Sequence, residues 1–428
     1  MKKVLIITYY WPPAGGSGVQ RWLKFTKYLP KYNWKPFIYT PENPYFEVQD
    51  QALLNDIPAE AEIWKTPIWE PYALKDKLFG KGSESQSAGV ITNKKSLKNK
   101  VLNWVRGNVF IPDPKIYWVK PSIKVLLKKI LEEDIDHIVT TGPPHSMHLI
   151  GLGLKKAMPN LKWIADFRDP WSELDLLYEF HLSSSSIKKH KYLEKEVLQT
   201  ADVALTVSET WVEDLKRLAG SGSGSRVELI SNGYDAADFE LKPKTNDKFI
   251  IGHYGLLNHL RNPKNLWKSL ANLCEENKGF NSKLEIHLSG NIDIEVLAEI
   301  KAYPQLKEKV KQLGYLSHAQ VLQQYNEADV LLLLLFNSKS GIGNYPGKIF
   351  EYFAAKKTIL AFGPLSSDAQ RLIENRNRGK YFSYDYTNLK IDILDLFNNQ
   401  NNFDFENIES FSREKLTYDL AKLLNNLS

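Results

Sequence analysis

The sequence has a single cysteine, Cys274, in 428 residues. This excludes a disulfide framework or a multi-cysteine zinc site and favours a reducing, cytoplasmic setting. Long hydrophobic runs are also missing, because the longest leucine-rich run is seven residues, 330–336, whereas a membrane-spanning helix needs about 20. The apolar amino terminus, residues 3–8, runs into Trp11-Pro12-Pro13 without a small-residue cleavage site. It therefore predicts a first β-strand and not a signal peptide.

Acidic residues are scarce in one window of the chain, residues 93–129, which holds ten Lys and Arg and one acid, Asp113. Its net charge of +9 exceeds the +6 of the whole chain. Four aromatic residues are interleaved with these cations: Trp104, Phe110, Tyr117 and Trp118. Basic and aromatic residues together suit an anionic membrane surface or a nucleic-acid strand. No nucleic-acid-binding module is recognisable, so we expect a membrane surface and no nucleic acid, with a plain solvated pair of helices as the alternative.

Short β-branched strands alternate with helical segments along the chain, which indicates parallel α/β sheets. The pattern restarts after a polar stretch at 242–248. The sequence therefore predicts a first domain over 1–241, a linker at 242–248 and a second domain over 249–407. A helical segment at 408–428 follows and could pack back on the first domain. The Gly/Ser stretch 220–225 is typical of a flexible linker, natural or engineered, and carries no chemistry.

A glycine-rich turn, Pro-Pro-Ala-Gly-Gly-Ser-Gly at 12–18, follows the first strand. Glycines such as Gly15 and Gly16 let backbone N–H groups approach a phosphate or sugar, and the start of the next helix favours negative charge. The turn is not the dinucleotide-binding fingerprint, because Arg21 stands where that motif needs its last glycine. A merely connecting turn is the alternative.

Two segments of the second domain carry charges that point to an anionic ligand. Asn258 and Arg261 follow the strand at 249–254, where open α/β sheets bind ligands, and Arg261 could hold a diphosphate. Lys348 and Glu351 lie on one face near the start of a helix. A lysine there opposes the helix dipole, which suggests a nearby anion, and Glu351 suits ribose hydroxyls. A solvated arginine and an ordinary Lys–Glu surface pair are the alternatives.

The first domain supplies a second group of candidates at its strand ends. Asp169 could take or hold a hydroxyl proton, and Arg168 could stabilise a leaving phosphate. A buried structural Asp–Arg pair is the alternative. His145 and His148 have the spacing of a metal-binding pair, but no further ligand completes a site. We therefore expect no metal there, and we expect His145 and Trp171 to contact the acceptor.

In this order and spacing these segments resemble glycosyltransferase family 4, whose members are retaining, nucleotide-sugar-dependent enzymes. The resemblance covers nearly the whole chain and also includes Thr-Val-Ser-Glu at 206–209 and Ile-Ser-Asn-Gly-Tyr-Asp at 230–235. It implies an α/β GT-B fold, in which two Rossmann-like, doubly wound parallel-sheet domains face an interdomain cleft. It also implies that the carboxyl-terminal domain binds the donor, that the amino-terminal domain binds the acceptor, and that no metal is needed.

The resemblance assigns roles residue by residue. Gly15 and Gly16 match the turn that approaches the donor phosphates, and Arg261 falls where the family usually has a phosphate-binding lysine. Glu351 matches the second glutamate of the E-x7-E motif, which is implied to hold the donor ribose. The loop that lies along the base of the donor is matched by Tyr315 and Leu316.

The sequence also departs from the family pattern. The first glutamate of E-x7-E falls at Gly343, and the family's phosphate-binding arginine falls at Leu256. The chain is similar in this respect to a subgroup with Pro-x-Lys-x-x-Glu, in which Lys348 would supply the missing positive charge. Arg168 stands where the family often has a histidine.

From these residues we expect a glycosyltransferase of the hexosyltransferase type that acts in polysaccharide biosynthesis. It would transfer a sugar from a nucleoside-diphosphate sugar to a glycan, lipid-linked or cell-envelope acceptor, with no cofactor and no metal. We expect it in the cytoplasm, at the inner face of the cell membrane through residues 93–129. A nucleotide-sugar epimerase of the same fold and a non-catalytic glycan- or nucleotide-binding protein are the alternatives.

Overall fold

The structure is a computed structural model that describes residues 1–46, 48–70, 97–174, 177, 180–220, 226–399 and 403–427. The chain divides into two compact units. Unit 1 comprises Met1–Ser231 with Arg413–Ser428, and unit 2 comprises Asn232–Ser412. The expectations for residues 93–96 of the basic window and 221–225 of the Gly/Ser stretch concern positions outside the described residues.

Unit 1 is built on one parallel sheet. Its strands are β1 (Lys2–Ile7), β2 (Trp34–Pro41), β3 (Glu62–Thr66), β4 (His137–Gly142), β5 (Lys162–Phe167), β6 (Val203–Thr206) and β7 (Arg226–Leu229). Their order is β3-β2-β1-β4-β5-β6-β7. Because β1 pairs with both β2 and β4, the winding reverses beside β1, and this is where sheets of this type bind ligands at the carboxyl ends of their strands.

Helices cover the sheet of unit 1. They are α1 (Ser17–Tyr28), α2 (Leu97–Asn108), α3 (Ile116–Glu132), α4 (Ser146–Ala157), α5 (Ser184–Thr200) and α6 (Glu209–Ala219). The last four residues of β1 are fully buried, as expected of a strand with helices on both faces. The final helix of the chain, Arg413–Asn425, also belongs to unit 1, because its Leu416 and Leu420 pack into the same apolar cluster as Trp22 of α1.

Unit 2 repeats the architecture with six parallel strands. They are β8 (Phe249–Tyr254), β9 (Leu284–Ser289), β10 (Val310–Gly314), β11 (Val330–Leu334), β12 (Thr358–Phe362) and β13 (Gly379–Phe382), in the order β10-β9-β8-β11-β12-β13. The helices are α7 (Lys264–Glu276), α8 (Lys278–Lys283), α9 (Ile294–Lys301), α10 (His318–Glu327), α11 (Lys339–Ile342), α12 (Gly347–Ala354), α13 (Asp368–Asn375) and α14 (Leu389–Phe397), and the final helix of unit 1 becomes α15. The winding reverses beside β8, which pairs with β9 and β11.

Two Rossmann-like sheets of parallel strands therefore stand where the sequence predicts them. Residues 232–241, which the sequence assigns to the first domain, are grouped with unit 2. The reason is local: the Tyr234 N–H donates to the Phe411 carbonyl oxygen at 3.1 Å, and the Asn232 side chain donates to the Tyr345 carbonyl oxygen at 3.2 Å. Within the part of the chain that the structure describes, no helix combines the length and apolarity needed to cross a membrane.

Candidate functional site

Two cationic side chains of unit 2, Lys348 and Arg261, lie near each other at the carboxyl end of the sheet. Lys348 is the second residue of α12, and its ammonium donates a hydrogen bond to the Tyr254 carbonyl oxygen at the end of β8. The Arg261 guanidinium lies 3.6 Å from the centre of the Phe336 ring. The Arg261 Nε is buried and has no hydrogen-bond partner among the described residues. Neither cation forms an ion pair with a carboxylate of the described residues.

The pKa values of these groups show how poorly solvated the cations are. Burial lowers the pKa of Lys348 to about 8; the charge of Glu351 opposes this decrease, and the charge of Arg261 adds to it. Burial likewise lowers the pKa of Arg261 to about 10. Burial and then the charge of Lys348 lower the pKa of the neighbouring His253 to about 3. Positive charge in a poorly solvated place is costly unless it is compensated. Glu351 compensates Lys348 in part, and an anion bound beside the two cations would stabilise them further.

Glu351 stands one helical turn after Lys348 on α12. Its Oε1 lies 3.2 Å from His318 Nε2, and its Oε2 accepts a hydrogen bond from the Tyr325 hydroxyl at 3.0 Å. Burial acts to raise the pKa of Glu351, but the hydrogen bonds from His318 and Tyr325 and the charge of Lys348 hold it below its usual value. The side chain is therefore an ionised carboxylate with acceptor capacity left for hydroxyl groups.

Glycines at this edge of the unit 2 sheet project no side chains over the strand ends. Gly290, after β9, has a φ of 102°, and a Cβ there would lie 2.6 Å from the Gly255 carbonyl oxygen. Gly314 ends β10 with a φ of 67°. It is followed by Tyr315, which is 62% exposed, and by the partly buried Leu316. An exposed tyrosine ring at a strand end is suited to stack on a planar ligand group.

The other positions of unit 2 that the sequence analysis discusses, Asn258, Leu256 and Gly343, have no charged side chain. Asn258 begins the turn that carries Arg261, whose N–H donates to the Asn258 carbonyl oxygen at 3.0 Å. The side-chain Oδ1 of Asn258 is buried, and no described residue forms a hydrogen bond with it. The Leu256 carbonyl oxygen lies 3.2 Å from His253 Nε2. Gly343 follows α11 and offers no side chain.

In unit 1 the two glycines of the first turn differ. The Gly15 N–H donates to the Val48 carbonyl oxygen at 2.9 Å, and a Cβ on Gly15 would lie 2.8 Å from Val48 Cγ1. The Gly15 N–H is thus already engaged, and its lack of a side chain serves packing. Gly16, with a φ of 82°, precedes α1 and has open space around it. Of the pair, Gly16 is the one that leaves room for a ligand.

Arg168 and Asp169, after β5, do not pair with each other. The Arg168 guanidinium donates to the carbonyl oxygens of Gly18 and Pro143 and so ties the turns after β1 and β4 together. The Arg168 Nε is buried, with no hydrogen-bond partner in the part of the chain that the structure describes. The Asp169 carboxylate accepts no hydrogen bond from the residues that the structure describes. Burial raises the pKa of Asp169 to about 6, so this group can exchange a proton near neutral pH.

A buried Asp–Arg pair does exist, and it involves other residues. Arg21 of α1 and Asp166 of β5 are almost fully buried and lie 3.0 Å apart. Asp166 also accepts hydrogen bonds from Trp22 Nε1 at 2.6 Å and from the Thr141 hydroxyl at 2.9 Å. This pair, which the sequence did not single out, is a structural link between the first helix and the sheet.

His145 and Trp171 lie against each other in unit 1. Their rings are parallel within 4°, with centroids 4.9 Å apart. His145 is buried, and burial holds its pKa well below the usual value, while a hydrogen bond with the backbone of Pro170 opposes that decrease. His148 Nδ1 lies 2.8 Å from the Thr140 hydroxyl. Among the described residues, no cluster of three or more His, Cys, Asp or Glu side chains could hold a metal ion.

The sequence matches no protein-family model and no curated protein, but solved structures are similar over its whole length. Sucrose-phosphate synthase from Thermosynechococcus elongatus matches with a TM-score of 0.64 and 13% identity, over 100% of this chain and 99% of its own. A glycosyltransferase from Rickettsia africae matches with a TM-score of 0.60 and 15% identity, over 100% and 94%. The protein has the two-domain GT-B fold.

The same fold occurs in an enzyme of another class. A putative UDP-N-acetylglucosamine 2-epimerase from Listeria monocytogenes matches with a TM-score of 0.59 and 11% identity, over 100% of this chain and 96% of its own. At these identities the similarities establish the fold and leave the reaction to the residues of the site. The predicted α/β class with two Rossmann-like domains is confirmed.

Proposed function

We propose that the protein is a retaining glycosyltransferase that transfers a sugar from a nucleoside-diphosphate sugar to a hydroxyl of a glycan, lipid-linked or cell-envelope acceptor. The observation that carries this proposal is in unit 2. There the poorly solvated cations Lys348 and Arg261 form no ion pair with a carboxylate of the described residues, and the ionised Glu351 lies one helical turn from Lys348. A diphosphate next to a ribose satisfies this arrangement, because the cations meet the phosphates and the carboxylate accepts the ribose hydroxyls.

The other predicted residues take roles around this nucleotide. Tyr315 and Leu316 would lie along the base, and the free Oδ1 of Asn258 would accept a hydrogen bond from the donor. In unit 1, we assign Gly16 to the donor phosphates and Asp169 to the orientation of an acceptor hydroxyl. We assign Gly15 and Arg168 to the positioning of these groups, and His145 with Trp171 to acceptor contact.

The reaction we propose breaks the bond between the anomeric carbon and a diphosphate oxygen, and the electron pair goes to the diphosphate. Lys348 and Arg261 stabilise the negative charge that develops there. The acceptor oxygen bonds to the anomeric carbon on the same face, and its proton passes to the diphosphate oxygen. These two side chains supply the positive charge that the step requires, so we propose that neither a metal nor a cofactor takes part.

A nucleotide-sugar epimerase is the second candidate, because an epimerase is among the proteins that share the fold. An epimerase changes the donor sugar in the absence of any acceptor. A transferase instead releases the nucleoside diphosphate in proportion to acceptor. Incubation of the protein with the nucleotide sugar alone, followed by NMR of the sugar, therefore separates the two, and the anomeric coupling of the transfer product tests retention.

Calorimetric titration with UDP, GDP, ADP, CDP and dTDP tests the proposal. We expect one diphosphate to bind, with its affinity decreased by tenfold or more in Arg261→Ala and in Glu351→Ala. Lys264→Ala is the matched control, because Lys264 is an exposed cation three residues from Arg261 and should leave binding unchanged. If no diphosphate binds the parent protein, the proposal is wrong and a non-catalytic binding protein becomes the better account.

A further inference from the structure

One side of helix α3 is exposed, basic and aromatic. Its exposed positions recur every three or four residues, so they lie along one side of the helix. They include Tyr117, Lys120, Lys124, Lys128 and Leu131. The opposite side is buried against unit 1 through Trp118, Val119, Ser122, Leu126 and Ile130. The chemistry of this exposed side is not used by the proposed transfer reaction.

The single acid of the surrounding window does not neutralise these lysines. The Asp113 carboxylate accepts hydrogen bonds from the Ser146 N–H and hydroxyl, both at 2.8 Å, and from the Lys115 N–H at 2.9 Å. It is therefore occupied at the start of α4. Lys128 pairs with Glu132 at 3.4 Å, but Lys120 and Lys124 pair with no carboxylate of the described chain. The positive charge of this side is open to an external anion.

An exposed tryptophan extends the same surface. Trp69 is 52% exposed and Tyr117 is 50% exposed, and their ring centroids lie 5.0 Å apart in an edge-to-face arrangement. Trp69 stands between two buried residues, Ile68 and Glu70. The Glu70 carboxylate accepts a hydrogen bond from the Tyr9 hydroxyl at 2.9 Å. The backbone at Trp69 is thus fixed, and the ring is held outward.

We propose that this basic–aromatic face, formed by Trp69 and the exposed side of α3, binds the surface of a bilayer that contains anionic phospholipids. Lysines near such a surface are attracted by its negative potential. Tryptophan and tyrosine rings are stable at the level of the lipid headgroups, where one part of the ring is apolar and another is wet. Three lysines on one helix side next to paired aromatic rings meet both conditions.

A membrane surface fits this face better than a nucleic-acid strand. Leu131 is 70% exposed at the far end of the same helix side, and an aliphatic side chain gains from lipid contact but offers nothing to a phosphate backbone. The edge-to-face contact of Trp69 with Tyr117 also occupies part of the ring surface on which bases would stack.

Co-sedimentation of the full-length protein with vesicles tests the charge part of the proposal. We expect binding to vesicles of phosphatidylcholine and phosphatidylglycerol in equal parts, little binding to phosphatidylcholine alone, and weaker binding as salt is added. Replacement of Lys120 and Lys124 by Gln should decrease the affinity about 25-fold, at about fivefold per lysine. The matched control replaces Lys307 and Lys311, two exposed lysines of unit 2, and should bind like the parent.

A separate variant tests the contribution of the aromatic rings to vesicle binding. Tyr117→Ala should weaken vesicle binding about tenfold even at high salt, whereas Tyr192→Ala, at a tyrosine of α5 that is 64% exposed, should not. Thermal unfolding midpoints equal to that of the parent show that these surface variants are folded.

Equal binding to neutral and anionic vesicles, or unchanged binding by the double lysine variant, would overturn the proposal. So would lysine-dependent binding to single-stranded DNA without binding to vesicles. The assay needs no nucleotide sugar, so its outcome is independent of the proposed transfer.

Discussion

His318 Nε2 lies 3.2 Å from Glu351 Oε1, and the Tyr325 hydroxyl holds the other carboxylate oxygen at 3.0 Å. The two partners come from the beginning and the later part of α10, and they reach across to α12. Together they fix the orientation of a carboxylate that burial would otherwise drive toward the neutral form. The negative charge of Glu351 depends on these two hydrogen bonds, and so does its capacity to accept hydrogen bonds from hydroxyl groups.

The first prediction concerns removal of the hydrogen bond from Tyr325 to Glu351. Tyr325→Phe keeps the ring and deletes the hydroxyl, so we expect the pKa of Glu351 to rise and the affinity for the nucleoside diphosphate to decrease about tenfold. Tyr352→Phe is the matched control, because the Tyr352 hydroxyl is also buried but donates to the Leu332 carbonyl oxygen at 3.4 Å. Calorimetric titration of both variants should show the loss in Tyr325→Phe alone.

The dependence of donor binding on pH follows from the pKa of Lys348, about 8. A bound diphosphate favours the ammonium form, so the contribution of Lys348 to the affinity should begin to decrease near pH 7 and fall by about tenfold between pH 7 and 9. Lys348→Arg keeps its charge throughout this range. Its affinity should therefore stay flat, and an equal decrease in both proteins would assign the titration to another group.

The same pKa has an effect on the stability of the free protein. An unfolded lysine titrates near pH 10.4, so between about pH 8 and that value the unfolded chain binds a proton that the folded chain does not. The free energy of unfolding should therefore increase with pH in this range by the contribution of Lys348. Urea titrations of the parent and Lys348→Met at pH 8 and pH 10 should show the increase in the parent only, after subtraction of the common background.

Local patterns predict the residues of the candidate site that lie within one element. Lys348 and Glu351 are three residues apart on one helix, and the buried run of β8 places Arg261 after a strand end. Contacts between distant segments leave no such pattern. Glu351 meets His318 and Tyr325 across 33 and 26 residues of sequence, and neither partner belongs to a recognisable motif, so both escaped prediction.

The strands of the two sheets also differ in how well the sequence predicts them. The central strands are continuous apolar runs because helices cover both of their faces, and the sequence predicts them within a few residues. Two of the four edge strands, β3 (EIWKT) and β13 (GKYF), are short and partly exposed and lack a continuous apolar run, so their composition does not distinguish them from loops. The pairing of Arg21 with Asp166 joins residues 145 positions apart, and only the folded sheet brings them together.

Neutralisation of two neighbouring carboxylates of unit 1, Asp169 and Asp166, should change the free energy of unfolding in opposite directions. Burial raises the pKa of Asp169 to about 6, so folding disfavours its charged form, and stability decreases as pH rises from about 4 to about 6. Asp169→Asn should therefore raise the free energy of unfolding at pH 7, and the gain should vanish near pH 4. Asp166→Asn should instead lower it by about 3–5 kcal/mol, because Arg21 is left buried without a counter-charge. Urea unfolding at the two pH values measures both.

The aromatic contact of Arg261 gives the last prediction. The guanidinium lies over the Phe336 ring at 3.6 Å and has no carboxylate partner among the described residues, so the ring determines where the positive charge stands. Phe336→Leu keeps an apolar side chain but removes the π face, and we expect a three- to tenfold weaker affinity for the diphosphate with little change in stability. Phe382→Leu is the matched control, because Phe382 stacks on Tyr386 with ring centroids 4.6 Å apart and no cation of the described residues lies over its ring. Equal losses in the two variants would show that general packing of unit 2, and not the placement of Arg261, controls binding.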